Sequence, residues 1–276
     1  MSKTIEVDDT GMSALSNAPK VIRSPSTLKS RSSTGLDVAV VGAKESLSHQ
    51  ALTSIFDGDE QLNVSFAGSF GEIFQLIQSD KVHSGVVPIE NTSLGPMPGI
   101  YDLLIKYPDI QIIGEHIVRE DHCLCAQPGT TLEDIDQITA HPWAGAQCKN
   151  YLKRLIKQAK QPITRILASD TAAACKTAQE RPNTATIQQR SMAESMGLAV
   201  LAEGISDDEN NKTRFVLLSK EAILLPRFED ISTTIAFALE NKTNSMFKAL
   251  SVFGIRDIPI RRMVTVSTAS FQEQVT

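Results

Sequence analysis

A chain of 276 residues that is 41% hydrophobic can bury the core of one two-lobed domain and still leave a small accessory unit. Its formal charge of -5 argues against a nucleic-acid partner, which would demand a basic face, so an anionic ligand must find a local cluster of cations. No window approaches the roughly 18 consecutive apolar residues of a membrane helix, and no membrane partner is expected.

In chain order, residues 1–36 are expected to form a disordered tail. Gly11 to Leu36 is serine-rich, carries Lys20, Arg23, Lys29 and Arg31, and has neither an acidic residue nor apolar periodicity. Such a composition also suits a transit peptide, although Glu6, Asp8 and Asp9 oppose it; a cytoplasmic location is the first reading and a plastid the alternative. From Asp37 onward strands and helices alternate, which means an α/β sheet. Val38 to Val41 predicts a strand, Ser46 to Phe56 a helix and Val64 to Phe66 a strand, and Ser69-Phe70-Gly71-Glu72 offers a capping box for a helix through Ile77. Gly85 to Ile89 predicts the next strand, Tyr101 to Tyr107 a short helix and Cys123 to Ala126 another strand. One long helix is predicted after Pro142, with Tyr151, Leu152, Leu155, Ile156 and Ala159 at helical spacing and Lys149, Lys153, Arg154 and Lys157 on its wet side. Asp170 is placed to cap an alanine-rich helix. After Ile231 the pattern changes to a strand Thr234 to Leu239, a helix Ser245 to Gly254, and Asp257-Ile258-Pro259-Ile260 leading into a second strand.

The four cysteines, Cys123, Cys125, Cys148 and Cys175, show no Cys-x-x-Cys spacing and no secretory signal is legible before them, so a reduced compartment is expected. His122-Cys123-Leu124-Cys125 is read as a strand rather than a metal site. Alternate residues there share one face, and no second ligand pair stands at zinc-finger spacing.

Two short strings carry the most information. Pro88-Ile89-Glu90-Asn91-Thr92 closes an apolar run ahead of Gly95, Pro96 and Pro98, and Asn211-Lys212-Thr213-Arg214-Phe215 opens one after the acidic Asp207-Asp208-Glu209. Both place polar side chains at the mouth of a strand, where a rigid sheet holds ligand-binding groups. In this order they resemble the signatures of the prephenate dehydratase family and its close relatives the arogenate dehydratases, Pro-Ile-Glu-Asn-Ser and Asn-x-Thr-Arg-Phe. Val40-Val41-Gly42 leading into Glu45-Ser46-Leu47-Ser48-His49-Gln50-Ala51-Leu52 resembles the family's opening strand, turn and serine-capped helix. His141-Pro142 with Gln147-Cys148 resembles its central string, and Tyr101-Asp102-Leu103-Leu104 and Gly114-Glu115 also fall in place, so the resemblance runs from Val38 to Ser219.

The resemblance implies an α/β fold: a catalytic domain over 37–223 built of two lobes like a type II periplasmic binding protein, with the site in the cleft between them. The two strings would form opposing walls of that cleft, and the chain would return to the first lobe near Ile205 to Ser219. Residues 231–276 resemble the first half of a ferredoxin-like ACT domain, the phenylalanine-sensing module of many relatives. The family's Glu-Ser-Arg-Pro string is replaced by Val264-Thr265-Val266-Ser267, so phenylalanine is expected to bind weakly or not at all. Half such a unit leaves sheet edges uncovered, which makes a homo-oligomer the expected form.

The implied reaction is the decarboxylating dehydration of prephenate to phenylpyruvate, a hydro-lyase step of phenylalanine biosynthesis. The leaving hydroxyl accepts the electrons, so no cofactor is required; the protein supplies a proton or strong hydrogen bonds and an alignment of the two leaving groups. The resemblance makes Thr213 the donor to the leaving hydroxyl, with Glu90 or water relaying a proton, and gives Arg214, Asn91, Thr92, Ser46, Ser48, Thr171 and Phe215 to substrate binding. Each has a plainer reading. Arg214 would pair with Asp207, Asp208 or Glu209; Asn91 and Thr92 would shape a turn; Ser46 and Ser48 would cap a helix, as would Asp170 beside Thr171. His141 would shape a helix start rather than act in catalysis, and Gln147 and Cys148 would pack or support the residues that touch substrate.

Two alternatives to the prephenate reading stay open. Arogenate would give phenylalanine directly. A non-catalytic small-molecule-binding pseudoenzyme is motivated by the departures from the family pattern: Ala43 and Glu45 in the first motif, Trp143 in the place of a glutamine, and Gln188 and Gln189 after Ile187.

Overall fold

The protein is described by a computed structural model over residues 35–44, 46–56, 62–221 and 232–266. All of the expected tail except Gly35 and Leu36, and Glu45 of the first motif, lie outside these residues. The first lobe consists of β1 (Leu36–Val41), α1 (Leu47–Ile55), β2 (Leu62–Ala67), α2 (Phe70–Gln78), β3 (Ser84–Asn91), the short β4 (Gly95–Pro96), α3 (Ile100–Lys106), β5 (Gln111–Arg119) and, much later in the chain, β11 (Lys212–Ser219). Its strand order is β2-β1-β3-β11-β5, with β4 paired to β3. β1 is parallel to β2 and β3, whereas β11 is antiparallel to β3 and β5.

Both faces of this sheet are covered, which is why its central strands are continuous apolar runs instead of alternating ones. Val38, Val40, Val86, Phe215 and Leu217 pack with Ala51 and Leu52 of α1. Ala39, Val87, Ile89, Val216 and Leu218 pack on the other face with Ile73, Phe74 and Ile77 of α2 and Ile100 of α3. The capping residues act as their positions predict: Ser46 Oγ accepts from His49 N at 3.3 Å, and Ser69 Oγ accepts from Glu72 N at 3.2 Å. Gly42, at φ +97°, makes the turn from β1 toward α1 that a side chain would strain.

The second lobe comprises β6 (His122–Ala126), β7 (Gln137–Ala140), α4 (Pro142–Gln147), α5 (Lys149–Gln158), β8 (Thr164–Leu167), α6 (Thr171–Glu180), β9 (Thr184–Gln189), α7 (Arg190–Ser195) and β10 (Ala199–Ala202), in the strand order β10-β6-β9-β7-β8. The two-lobed α/β arrangement is the expected one, and β11 makes the expected return to the first lobe. The chain leaves the first lobe between Arg119 and His122 and comes back between Ala202 and Lys212. Strands β1, β2 and β3 end at Val41, Ala67 and Asn91, and β7, β8 and β9 at Ala140, Leu167 and Gln189. Those ends border the space between the lobes, where ligands of open α/β sheets collect. Gln50 Nε2 on α1 donates to Ser191 Oγ on α7 across it at 3.0 Å.

Three expectations need correction. The first lobe begins at Leu36, which is buried in β1. The long helix after Pro142 is two helices, broken at Cys148 because Asp207 intrudes. Its amide donates to the Gln147 carbonyl at 2.7 Å and its carboxylate accepts from Asn150 N at 2.9 Å, giving α5 a start of its own. Beyond residue 231, α8 (Ser245–Gly254) forms as predicted, but 232–240 and 258–266 form no strand among the described residues. A strand exists by pairing, and these segments have no neighbour to pair with among the described residues.

Gly85 sits in β3 beneath α2, where an added Cβ would lie 2.4 Å from Ile73 Cγ2 and 3.1 Å from Ile77 Cδ1. Gly85→Ala is expected to destabilise the first lobe by about 1–3 kcal/mol through overpacking, read as a lowered denaturant midpoint.

Candidate active site

The two motif strings are neighbours in one sheet, β3 beside β11, and not opposing walls of a cleft. Pro88 pairs with Phe215 and Glu90 with Arg214, so Ile89 is the extra residue of a β-bulge. The bulge reverses the alternation of β3. Glu90 joins Arg214 on the face that carries α2 and α3, whereas Asn91 joins Thr213 on the face that carries α1. The residues expected to share one substrate therefore divide between two sides of the sheet.

On the α1 side, Thr213 is fully buried and both capacities of its hydroxyl are in use. It accepts from Asn91 Nδ2 at 2.9 Å and donates to Glu120 Oε1. Asn91 is fixed in turn: its Nδ2 also reaches Asn211 Oδ1 at 2.8 Å, and its Oδ1 accepts from Ser93 N at 2.9 Å and Leu94 N at 3.0 Å. Asn91 is thus both the turn-former of the plainer reading and a partner of Thr213. Glu120 lies where the chain crosses between lobes, 7% exposed, and its amide donates to the carbonyl of Asn211 on the returning segment at 2.9 Å. Its Oε2 is 3.3 Å from His122 Nε2, which also contacts Gln147 Oε1. Burial works to raise the Glu120 carboxyl, but hydrogen bonds from His122 and Thr213, the His122 charge and Gln147 outweigh it and hold the group below its ordinary value.

On the other side, Arg214 Nε donates to Glu90 Oε1 and Nη1 to Glu115 Oε2, each at 2.9 Å. The ion-pair reading of Arg214 is the observed one, with Glu90 and Glu115 in place of Asp207, Asp208 or Glu209. A guanidinium held by two carboxylates has little charge left for a third. Arg262 pairs with the second oxygen of Glu90, and these groups line a cavity of about 250 Å³ with Thr92, Lys212 and Ile117. Glu90, expected to relay a proton to Thr213, is on the wrong face to do so.

Ser46, Ser48 and Thr171 stand at the starts of α1 and α6, on the strand ends that border the interlobe space. Ser46 caps α1, Ser48 is buried, and Thr171 is half-buried behind Asp170, whose carboxylate accepts from Ala173 N at 2.7 Å. Thr92 Oγ1 accepts from Lys212 N at 2.9 Å and so ties the exit of β3 to the start of β11. Phe215 belongs to the core rather than the site, at 1% exposure. His141 Nδ1 accepts from Trp143 N at 3.4 Å, a helix-start role; burial lowers its pKa against the opposing charge of Asp170. Burial likewise pushes the Cys148 thiol up to about 12. No group of three metal-ligating side chains gathers among the described residues, and Cys123, Cys125 and Cys175 share an apolar cluster.

Sequence reasoning missed the roles of Glu120, His122 and Asn211, and gave Gln147 either to packing or to support of the residues that touch substrate. Arg119-Glu120-Asp121 reads as a wet loop. The available signal was its position, a short acidic junction between two strands with a histidine at the start of the second.

A family model described as prephenate dehydratase matches residues 38–223, more than half of the chain. Arogenate dehydratase 2 of Petunia hybrida is 32% identical over 230 residues, covering 83% of this chain and 56% of its own. Arogenate dehydratase/prephenate dehydratase 2, chloroplastic, of Arabidopsis thaliana is 33% identical over 228 residues, covering 82% of this chain and 57% of its own. The chain therefore spans about half the length of the curated relatives it matches. A crystal structure of prephenate dehydratase from Arthrobacter aurescens in complex with L-Phe shares the fold, with a TM-score of 0.70 at 22% identity over 84% of this chain and 76% of that one.

The depressed Glu120 carboxyl fixes the sign of a pH effect. The stability it contributes is fully present above the ordinary value of 4.5 and is lost as pH falls through the lower folded value, where the unfolded chain binds the extra proton. Denaturant unfolding at a series of pH values should show wild type losing its advantage over Glu120→Gln below that range.

Proposed function

Since the chain belongs to the prephenate dehydratase family, we propose that it catalyses the decarboxylating dehydration of prephenate to phenylpyruvate, carbon dioxide and water. As the bond to the ring carboxylate breaks, its electrons enter the ring and expel the hydroxyl. The departing oxygen takes one proton to become water. Support comes chiefly from one observation, the Thr213 hydroxyl held by Asn91 and Glu120 where the chain crosses between the lobes. On substrate binding the hydroxyl turns its one hydrogen from Glu120 to the departing oxygen, giving a hydrogen bond that strengthens as charge develops. The starts of α1 and α6, with Ser46, Ser48 and Thr171, offer backbone N–H groups to the substrate carboxylates, and Thr92 orders the adjoining turn. Glu90 and Arg214 act from the other face by clamping β3 to β11.

Arogenate is the second reading, favoured by the names of the relatives, several of which are arogenate dehydratases. Several of those names also carry "chloroplastic", which favours a plastid over the cytoplasm for this chain. Among the described residues no helix is long and apolar enough to cross a membrane. The segment after residue 231 is proposed as an ACT-like unit completed by a second copy of the chain, a role its exposed Ile235, Phe237 and Phe247 support. Weak or no phenylalanine binding there is the matching expectation.

Incubation of the purified protein with each substrate should yield phenylpyruvate from prephenate or phenylalanine from arogenate. Thr213→Ala should lower kcat by about 10²-fold or more with little change in KM. No product from either substrate would overturn the enzyme reading in favour of the pseudoenzyme.

A further inference from the structure

We propose that the cavity on the Arg214 side of the first sheet binds a singly charged organic carboxylate, and that this occupant ties the segment after α8 to the first lobe. The cavity measures about 250 Å³, room for roughly eight waters at about 30 Å³ each, so it holds a molecule and not merely an ion. Glu90 on β3, Lys212 and Arg214 on β11, Ile117 on β5 and Arg262 from beyond α8 contribute to its lining. The bulge at Ile89 turns Glu90 to this face, away from Thr213. The site therefore stands whether or not Thr213 meets the leaving hydroxyl.

Charge identifies the class of occupant. Three cations, Lys212, Arg214 and Arg262, stand against two carboxylates, Glu90 and Glu115. Arg214 donates to both carboxylates at 2.9 Å, and Arg262 pairs with the second oxygen of Glu90. Both carboxylates are thereby committed, whereas the ammonium of Lys212 has no hydrogen-bond or ion-pair partner among the described residues. Arg119, opposite Lys212 in the register of β5 with β11, adds no net charge, because its Nε donates to Asp121 Oδ1 at 3.1 Å. The site is left one positive charge in excess, which a single carboxylate neutralises. Such a group accepts from Lys212 Nζ and from the guanidinium nitrogens of Arg262 that Glu90 leaves unused, and charge-assisted bonds of this kind are the stronger ones. Ile117, 56% exposed, offers an apolar wall for the occupant's carbon skeleton, which a bare inorganic ion would leave wet. Lys212 belongs to the strand that closes the first lobe and Arg262 to the segment beyond α8. A carboxylate shared by the two adds a second tie to the one Glu90 already makes.

The probe is 4-fluorobenzoate, titrated into the full chain at constant ionic strength and followed by fluorine NMR, with 4-fluorobenzamide as its uncharged counterpart and inorganic phosphate as competitor. Wild type should bind the probe saturably, and binding should weaken about tenfold or more in Lys212→Gln and in Arg262→Gln. The amide should bind about tenfold less well than the acid, and phosphate at equal concentration should displace little of the probe. Both substituted side chains are exposed, and circular dichroism checks that each variant is folded; should one fail to fold, the other decides. Trypsin supplies a second readout. With the probe at ten times its dissociation constant, cleavage of wild type after Arg261 and Arg262 should slow about tenfold, and cleavage of Lys212→Gln at the same probe concentration should slow less than about twofold. The proposal is overturned by no saturable binding to wild type, by binding unchanged in the folded variants, or by equal binding of the amide. Ready displacement by phosphate, or trypsin cleavage of wild type indifferent to the bound probe, overturns it as well.

Discussion

A single buried carboxylate ties the molecule together where the chain passes from one lobe to the other. Removing the charge of Glu120 from water costs several kcal/mol unless donors replace the lost solvent. The replacements come from four elements: Thr213 on β11, Asn91 on β3, His122 on β6 and Gln147 on α4. Neither lobe satisfies this group alone. The two crossing segments are also bonded through Glu120 N and the Asn211 carbonyl, so the ends of both sheets are held in register at the point where a ligand would sit.

The bulge at Ile89 determines which side chains share that point. Without the extra residue, Glu90 would face α1 and Asn91 would face α3. With it, the uncharged pair Asn91 and Thr213 meets the buried carboxylate, while Glu90, Arg214 and Glu115 form an ion-pair clamp on the far side. The family signature is thus divided between two faces of the sheet from adjacent positions, Asn91 and Thr213 beside the buried carboxylate on one and an ion-pair clamp between strands on the other. Arg214 acts through the position of β11, and Phe215, the next residue, anchors the same strand in the first core.

Much of the fold was legible because its signals are local. Ser46 and Ser69 announce helices that their hydroxyls do cap, and the apolar runs of β1 and β3 betray a sheet covered on both faces. What was hidden depends on distant partners. The run Val86-Val87-Pro88-Ile89 is apolar throughout, so no alternation reveals the bulge. Asp207 breaks the helix after Pro142 from 57 residues beyond Asn150, and the burial of Glu120 is set by Thr213, 93 residues later. The strand pattern at 234–239 was real as a pattern, yet without a neighbour to pair with among the described residues it forms no sheet there. Thr213 could be picked out by family resemblance, but its partner carboxylate could not, since Arg119-Glu120-Asp121 looks like a solvated turn.

The central claim is that substrate meets Thr213 in the space between the lobes, on the α1 side of the first sheet. A crystal structure with an unreactive prephenate analogue tests it most directly. The account predicts the analogue's ring oxygen within about 3.2 Å of Thr213 Oγ1, with its carboxylates toward the starts of α1 and α6. An analogue bound instead in the cavity beside Arg214 and Lys212, with the Thr213 hydroxyl still enclosed by Asn91 and Glu120, would contradict it.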